Sequence, residues 1–310
     1  MSTFIVNGGH ALNGRISVHG SKNSVLPILA ATLIHDGIST IHNCPDLSDV
    51  RTAVRILTYL GCKVTRLRST IIVDSRSVLC TQVPDELMRE MRSSVIFLGA
   101  ILSRCGNVLM THPGGCELGP RPIDLHLEAL AALGAQITEQ GGHISCSAGK
   151  LIGANINLSL PSVGATENIM LAAVRASGTT RILNPAREPE IIDLQSFLNG
   201  LGAHVSGAGS GTIEICGVSH MHDVCHTVIP DRIVAATYLT AAAIAGGDVL
   251  IDSMIPAHVA TVTQLLTGAG CTVDIGESKV RIRSGGALTA MPTVRTMPYP
   301  GFPTDAQALL

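Results

Sequence analysis

One short sequence pattern recurs four times along the chain of 310 residues, at intervals of about 70 residues, and constrains the fold more than any other feature. In each copy a helical pattern ends at a glycine and an extended run follows at once. The four copies are Leu60–Val64, Leu133–Ile137, Leu201–Val205 and Ala269–Val273. A repeated unit of this size cannot bury its apolar face alone, so the units must pack against one another.

The surroundings of this pattern repeat as well. In the first unit we predict an alanine-rich helix over Ser24–Ile34, a strand over Ile38–His42, a second helix over Val50–Leu60 and a further strand over Thr70–Asp74. Each unit reads β-α-β-α-β-β in cyclic order, which predicts the α/β fold class. The length of the chain favours two domains.

The chain stops soon after a fifth unit begins near Phe302. Thr304 or Asp305 is a suitable N-cap, and Ala306 is expected to start a helix. The sequence ends at Leu310, within the first turns of that pattern. We therefore expect the chain to be incomplete at its C-terminus.

The composition argues against several classes of protein. A net charge of −2 gives no electrostatic basis for binding nucleic acid or an anionic membrane, and aromatic residues, at 2%, are too few to stack bases. The N-terminus lacks the basic and apolar regions of a signal peptide. The most apolar stretch, Ile233–Ala245, is shorter than the ~20 residues that span a bilayer. The nine cysteines follow no disulfide framework, which predicts free thiols in a reducing cytoplasm.

Residues 220–226 bring three histidines and a cysteine close together in the sequence. The spacing of His220, His222, Cys225 and His226 matches no common zinc pattern. We predict a solvated connector there. Neither a metal nor a cofactor is expected.

The segment His112–His126 is the strongest candidate for chemistry. Its glycines give the backbone freedom and its prolines prevent a continuous helix, so a surface loop is predicted. Cys116 lies in this loop, shortly before Arg121. A thiol beside guanidinium groups can act as an acid or a nucleophile, whereas most cysteines are small buried apolar residues. The lack of apolar periodicity around Cys116 favours the first interpretation.

Five segments, taken in order, resemble the enolpyruvyl transferases: Gly20–Asn23, the Cys116 loop, Ser162–Thr166, Ala186–Glu190 and Pro230–Arg232. The resemblance covers essentially the whole chain. It implies an inside-out α/β barrel, in which six βαβαββ units are divided between two domains and helices form the domain cores. The first domain is expected over residues 22–229, and the second combines 1–21 with 230–310. Six units of about 70 residues amount to about 420, so about a quarter, all from the second domain, is expected to be missing.

The resemblance also implies a reaction. The enolpyruvyl group of phosphoenolpyruvate is expected to pass to the 3-hydroxyl of UDP-N-acetylglucosamine with release of phosphate, the first committed step of peptidoglycan synthesis. A sister enzyme of the family uses a shikimate phosphate, and the Cys116 loop with Arg121–Leu125 favours the UDP-sugar. The alternative is a non-catalytic protein that binds a UDP-sugar or a partner, because the missing quarter supplies further residues to the phosphoenolpyruvate site in the family. Neither nucleic acid nor a membrane is expected as a partner.

Phosphoenolpyruvate carries a carboxylate and a phosphate, so its site needs cations that remain charged. The candidates are Lys22, Arg92 and Arg121, with Asn23 hydrogen-bonding nearby. At the start of a helix Lys22 opposes the helix dipole, so the fold itself does not require it. Arg92, within the mixed run Glu86–Ser94, could instead be a solvated helix charge.

The resemblance assigns the proton transfers. Cys116 is the expected general acid, which protonates the enol carbon and can also form a covalent adduct with phosphoenolpyruvate. Asp305 is the expected base for the sugar hydroxyl, although by sequence alone it serves equally well as a helix cap. Lys22 is expected to act in catalysis as well as in binding.

Two segments are expected to hold the nucleotide. They consist of Arg121, Pro122, Ile123, Asp124 and Leu125, and of Ser162, Val163 and Gly164. The second segment is a glycine turn at a predicted helix start, where backbone amides face an anion such as a diphosphate. Leu160 stands near the place where the family usually has a lysine, which puts one diphosphate contact in question.

Overall fold

The computed structural model describes residues 3, 5, 7–78, 80–114, 122–291 and 293–309. The chain divides into two compact units: the large unit, Gly20–Ile229, and the small unit, Met1–His19 with Pro230–Leu310. The helices are α1 Lys22–Ala31, α2 Ser48–Tyr59, α3 Asp85–Glu90, α4 Phe97–Cys105, α5 Asp124–Ala132, α6 Val163–Ala173, α7 Pro189–Gly200, α8 Arg232–Ala245 and α9 Ala260–Gly268. Short 3₁₀ helices cover Arg92–Ile96, Pro256–Val259 and Thr304–Leu309. The strands are β1 Leu12–Ser17, β2 Ile38–His42, β3 Lys63–Leu67, β4 Thr70–Asp74, β5 Asn107–Thr111, β6 Gln136–Gln140, β7 His143–Ser147, β8 Asn155–Asn157, β9 Thr179–Leu183, β10 His204–Ser206, β11 Thr212–Cys216, β12 Val224–Thr227, β13 Gly247–Asp252, β14 Thr272–Ile275 and β15 Lys279–Ser284.

In each sheet of the large unit, a segment that follows one repeat pairs with a strand of another repeat. The strand orders of the sheets are β12-β2-β4-β3, β5-β7-β6 and β8-β9-β11-β10. The strand β8, which follows the second repeat, runs parallel to β9 of the third, and β12, which follows the third, runs parallel to β2 of the first. A parallel bridge between Gln82 and Leu109 stands at the equivalent place in the remaining sheet. Each repeat is therefore completed by the segment that follows another repeat.

Helices occupy the interior of the large unit. The helix α1 is buried from Ser24 to Ala31, α4 from Phe97 to Leu102, and α6 from Ala165 to Ala173. A helix that is apolar all round is stable only where neighbours cover every side, and α1 and α6 each pack against other helices of this unit. The surrounding strands bury alternate residues, as β2 and β4 do, so their other faces point outward.

The small unit has one sheet, in the order β1-β13-β15-β14, within its described residues. The strands β1 and β13 are parallel, whereas β15 runs antiparallel to both of its neighbours. The helix α8 packs on β13 and β15 through Ala235, Ala236 and Leu239. Tyr238 and Ile244 of the same helix are 37% and 70% exposed, so α8 buries one face only.

The structure confirms the predicted mixed α/β fold and the glycines that end the repeated helical pattern. Gly61, Gly134, Gly202 and Gly270 have φ angles of 107°, 95°, 96° and 101°. Side chains of L-residues rarely adopt this conformation, so the recurrent glycine is a requirement of the backbone at this turn.

The solvated connector predicted for residues 220–226 is wrong in its second half. Val224–Thr227 form β12, whose parallel pairing with β2 supplies hydrogen bonds that a connector would take from water. Alternate residues Cys225 and Thr227 are exposed. Among the residues that the structure describes, no group of three or more histidine, cysteine or acidic side chains is arranged to hold a metal ion.

The predicted helix cap near the end of the chain is also wrong. The final helix begins at Thr304 and is a 3₁₀ helix, so Thr304 and Asp305 lie inside its first turn. The backbone N–H of Ala306 donates to the carbonyl of Pro303 at 3.0 Å, a three-residue spacing that defines this tighter turn. Within the described ranges, none of the helices combines the length and the apolar character that crossing a bilayer requires.

Candidate active site

The first turn of α1 carries Lys22 and Asn23. A side chain at Gly20 would collide with the backbone of Asn43, so the chain can enter the helix here only through glycine. The backbone N–H of Ser21 donates to the carbonyl of Ile229 at 2.8 Å. The Nζ of Lys22 lies 3.1 Å from Oδ2 of Asp49, and 43% of the lysine side chain is exposed. The ammonium therefore sits at an accessible helix start, held by a carboxylate of α2.

A buried aspartate holds the first turn of α1 through hydrogen bonds. Asp193 on α7 accepts hydrogen bonds from the hydroxyl of Ser24 and from the backbone N–H of Ile229, the latter at 3.3 Å. Its Oδ1 lies 2.9 Å from Nε2 of His226 on β12. The rings of Phe197 and His226 are nearly perpendicular, at 87°, with their centroids 5.6 Å apart. One carboxylate thus joins α1, α7 and the last residues of the large unit.

A second polar network joins α4, α5 and α6 under the predicted nucleotide segments. Oδ1 of Asn168 accepts from the N–H of Gly99 at 2.7 Å, and Nδ2 donates to the carbonyl of Val95 at 3.0 Å. These two partners fix the orientation of the amide, so Nδ2 must also donate to Nδ1 of His126, at 2.7 Å. Burial lowers the pKa of His126 to about 4, and the imidazole is neutral at pH 7.

This histidine explains a glycine of the nucleotide segments. A side chain on Gly164 would come within 2.9 Å of Cε1 of His126. The start of α6 can therefore lie against α5 only because residue 164 has no side chain. Ser162 is the N-cap of α6, and its Oγ accepts from the N–H of Ala165 at 3.3 Å. The helix start that the sequence predicts at Ser162–Gly164 is confirmed.

The neighbouring segment leads into α5. Ile123 is buried, Leu125 is half-buried, and Pro122 and Asp124 are exposed. Asp124 lies in the first turn of α5, where its negative charge favours the helix dipole, so the fold by itself accounts for this residue. Leu160 is 67% exposed, an unusual position for an apolar side chain close to a helix start.

Arg92 begins the 3₁₀ helix that leads into α4 and is half-buried, so it is not the fully solvated helix charge that the sequence left open. This 3₁₀ helix packs against both α1 and α6. Lys22, Arg92 and Ser162–Gly164 therefore share one feature: each lies at or just before the start of an interior helix. Helix starts present backbone N–H groups and a positive dipole end, which suits anions.

Sequence reasoning gave no role to three glutamates in α6 and at the start of α7: Glu167 and Glu190 are buried, and Glu188 is half-buried. Burial, then the charges of Glu190 and Glu188, raises the pKa of Glu167 well above its usual value. Oε2 of Glu188 is buried without a hydrogen-bond partner among the described residues. The available signal was the pair Glu167 and Asn168 within an otherwise apolar helix, where solvent cannot account for polar side chains.

The remaining predicted residues lie elsewhere. Cys116 and Arg121 fall outside the described residues. Asp305 belongs to the small unit, where it is exposed in the final 3₁₀ helix. In the same unit Asp231 caps α8 by accepting from the N–H groups of Ile233 and Val234 at 2.9 and 3.0 Å. The guanidinium of Arg232 lies over the ring of Tyr299, 5.7 Å from its centroid.

Comparison with known proteins identifies the family. Residues 6–310 match the family model of EPSP synthase (3-phosphoshikimate 1-carboxyvinyltransferase). The chain is 49% identical, over 99% of its length and 74% of the relative's, to UDP-N-acetylglucosamine 1-carboxyvinyltransferase 2 of Caldanaerobacter subterraneus subsp. tengcongensis. It is also 49% identical, over 98% of its length and 70% of the relative's, to UDP-N-acetylglucosamine 1-carboxyvinyltransferase 1 of Symbiobacterium thermophilum.

Solved structures agree on the fold. The enolpyruvyl transferase NikO from Streptomyces tendae superposes with a TM-score of 0.85 at 24% identity, covering 97% of this chain and 72% of that one. The EPSP synthase from Acinetobacter baumannii gives a TM-score of 0.68 at 21% identity, covering 91% and 66%. The resemblance predicted from the sequence motifs is confirmed: the chain belongs to the EPSP synthase family of enolpyruvyl transferases.

Proposed function

We propose that this protein transfers the enolpyruvyl group of phosphoenolpyruvate to the 3-hydroxyl of UDP-N-acetylglucosamine and releases phosphate. The observation that carries the proposal is the 49% identity, over 99% of the chain, to a relative named for this transfer. The reaction is the first committed step of peptidoglycan synthesis, so a cytoplasmic location and roles in cell shape and division belong to the same proposal. We also propose the inside-out barrel arrangement for this chain. It is supported by the interior helices of the large unit and by the pairing of strands between its repeats.

The phosphoenolpyruvate site is proposed to use Lys22, Asn23, Arg92 and Arg121. The ammonium of Lys22 lies at the start of α1, and the guanidinium of Arg92 lies just before α4. A carboxylate and a phosphate need converging cations of this kind, and Asp49 already draws the lysine toward a defined position. Lys22 is the member of this group that we also assign to catalysis.

The nucleotide is proposed to lie across the starts of α5 and α6. The contact between His126 and Gly164 brings these two helix starts together, and the neutral imidazole beneath them adds no charge of its own. The N–H groups around Ser162–Gly164 suit the diphosphate, and Pro122–Leu125 with Arg121 suit the uridine. With Leu160 exposed beside this site, the diphosphate relies on the remaining donors.

The addition step requires two proton transfers. Asp305 accepts the proton of the 3-hydroxyl as its oxygen attacks C2 of phosphoenolpyruvate, while the thiol of Cys116 protonates C3. The product is a tetrahedral ketal that retains the phosphate. The thiolate of Cys116 then takes a proton back from the new methyl group, and phosphate departs with the proton held by Asp305, which restores the double bond and both side chains.

Phosphate release tests the proposal directly. We expect release from phosphoenolpyruvate that depends on UDP-N-acetylglucosamine and falls at least about 100-fold in Cys116→Ala, because the general acid is removed. Cys216→Ala removes a half-buried thiol of β11. It is the matched control and is expected to keep the rate. Release that depends instead on shikimate 3-phosphate would show that the acceptor is wrong. Binding of the UDP-sugar with no release would favour the non-catalytic alternative.

A further inference from the structure

Three side chains form a hydrogen-bonded row on the outer face of the sheet that contains β12, β2 and β4. Cys225 on β12 is exposed, and its Sγ lies 3.3 Å from Nε2 of His42 on β2. The Nδ1 of the same ring lies 2.9 Å from Oγ1 of Thr70 on β4. All three residues belong to the strand faces that point away from the interior helices.

In the tautomer of His42 that carries its proton on Nδ1, the row donates in one direction: the thiol of Cys225 donates to Nε2, and Nδ1–H donates to the hydroxyl of Thr70. A nucleophile, a base and a group that orients the base are thus present in sequence along the surface. This is the arrangement that activates cysteine in enzymes that use it as a nucleophile.

Other thiols among the described residues have different surroundings. Cys44, Cys62, Cys146 and Cys271 are buried. Cys216 is half-buried on the outer side of β11, and its Sγ lies 3.7 Å from the hydroxyl of Thr179. A hydroxyl does not take up a proton near neutral pH, whereas an imidazole does. Cys216 is therefore a matched thiol that has a hydrogen-bond partner without a base.

We propose that Cys225 is a modification site that undergoes thiol–disulfide exchange with small-molecule disulfides. As Sγ of Cys225 attacks one sulfur of the disulfide, its proton passes to Nε2 of His42. A new S–S bond forms, the S–S bond of the small molecule breaks, and the departing thiolate takes the proton from His42. Cys225 is oxidised to a mixed disulfide, and half of the small molecule is reduced to a thiol. The step involves no residue of the proposed active site.

The test measures initial rates of modification at each cysteine with 2-hydroxyethyl disulfide, an uncharged probe, by peptide mapping and mass spectrometry. We expect Cys225 to react about tenfold faster than Cys216, and His42→Gln to remove that advantage. The factor is smaller than the hundredfold or more of an enclosed general base, because water competes for an exposed imidazole. Thr70→Val, which keeps the base but removes its orienting partner, is expected to slow the reaction about threefold.

Two controls separate the proposed base from a general disturbance of the fold. Far-UV circular dichroism must match between His42→Gln and the parent protein, and in concentrated urea the two must react at equal rates at Cys225. A rate at Cys225 that equals the rate at Cys216 in the folded protein would overturn the proposal. So would an unchanged rate in a folded His42→Gln variant.

Discussion

Two apolar helices have different surroundings in the two units. In the large unit α1 contacts α2, α4 and α7 and is buried from Ser24 to Ala31. In the small unit α8 rests on one sheet and leaves Tyr238 and Ile244 exposed. Both helices are apolar in composition. The number of neighbouring repeats determines how much of their apolar surface is buried.

The units also differ in what they contribute to the proposed site. The large unit supplies the anion-binding candidates Lys22, Arg92 and Ser162–Gly164, each tied to the start of a buried helix. The small unit supplies Asp305 from an exposed 3₁₀ turn. On this proposal, binding is the task of residues at buried helix starts of the large unit, whereas the base is exposed in the small unit.

The largest expected effect tests this division of roles. We predict that Asp305→Ala lowers turnover at least about 100-fold while the affinity for UDP-N-acetylglucosamine stays within about threefold, because a general base acts on the reaction and the large unit holds the nucleotide. Asp274→Ala, which removes a surface carboxylate of the same unit that pairs with Arg283, is the control. Steady-state kinetics and calorimetric titration provide the two readouts. An unaltered rate in Asp305→Ala would remove the assignment of the base.

The packing difference can be measured with one residue type. Ile28 on α1 is fully buried, and Ile244 on α8 is 70% exposed. We predict that Ile28→Ala lowers the free energy of unfolding by about 2–5 kcal/mol through lost burial and a residual cavity. Ile244→Ala is expected to change it by less than about 0.5 kcal/mol. Urea denaturation with attention to the slope of each transition gives both values, and similar losses would contradict the comparison.

The free energy of unfolding of the large unit is expected to depend on pH. The pKa of His126 is lowered to about 4 in the folded chain, against 6.5 in an unfolded one, so the unfolded state takes up the proton first as the pH falls. The stabilisation is complete above pH 6.5 and is lost progressively down to about pH 4, a total of about 3 kcal/mol. His126→Gln keeps an acceptor for Asn168 and removes this titration. Burial also lowers the pKa of His35, so this residue contributes a dependence of the same sign, which persists in the variant.

The smallest expected changes in the free energy of unfolding come from removing the charge of a buried carboxylate and of a more exposed one. Asp193→Asn in the large unit is expected to cost about 1–3 kcal/mol, because Ser24, His226 and the N–H of Ile229 lose a charged acceptor. Asp248→Asn in the small unit breaks the exposed pair with Arg281 and is expected to cost less than about 1 kcal/mol. Thermal unfolding at pH 7 ranks the two variants. A larger loss in Asp248→Asn would reverse the comparison.

The sequence predicts the elements that depend on local backbone chemistry. The glycines of the repeated pattern need a left-handed conformation, and Ser162 caps a helix whose first residues follow it directly. Such features are visible within a few residues of chain. The same holds for the α/β repeat, since the hydrophobic period changes at each glycine.

The sequence does not predict what distant segments do for each other. The residues 224–227 look like a polar connector until β2, far away in the sequence, supplies the partner that makes them a strand. Asn168 and His126 meet only because α4, α5 and α6 converge. Asp193 likewise accepts a hydrogen bond from Ser24, although 169 positions separate the two residues in the sequence. Long-range polar contacts of this kind have no local pattern, although a charged or amide residue in an apolar helix indicates that one exists.

The hydrogen bond between the N–H of Ser21 and the carbonyl of Ile229 has an architectural consequence. The chain enters and leaves the large unit at adjacent points, so the whole unit resembles an insertion into a loop of the small one. A module whose ends already touch can be gained, exchanged or circularly permuted without rerouting its host. This geometry offers protein engineers a natural cut site, at which the helix starts and the candidate anion-binding residues stay together in one transplantable piece.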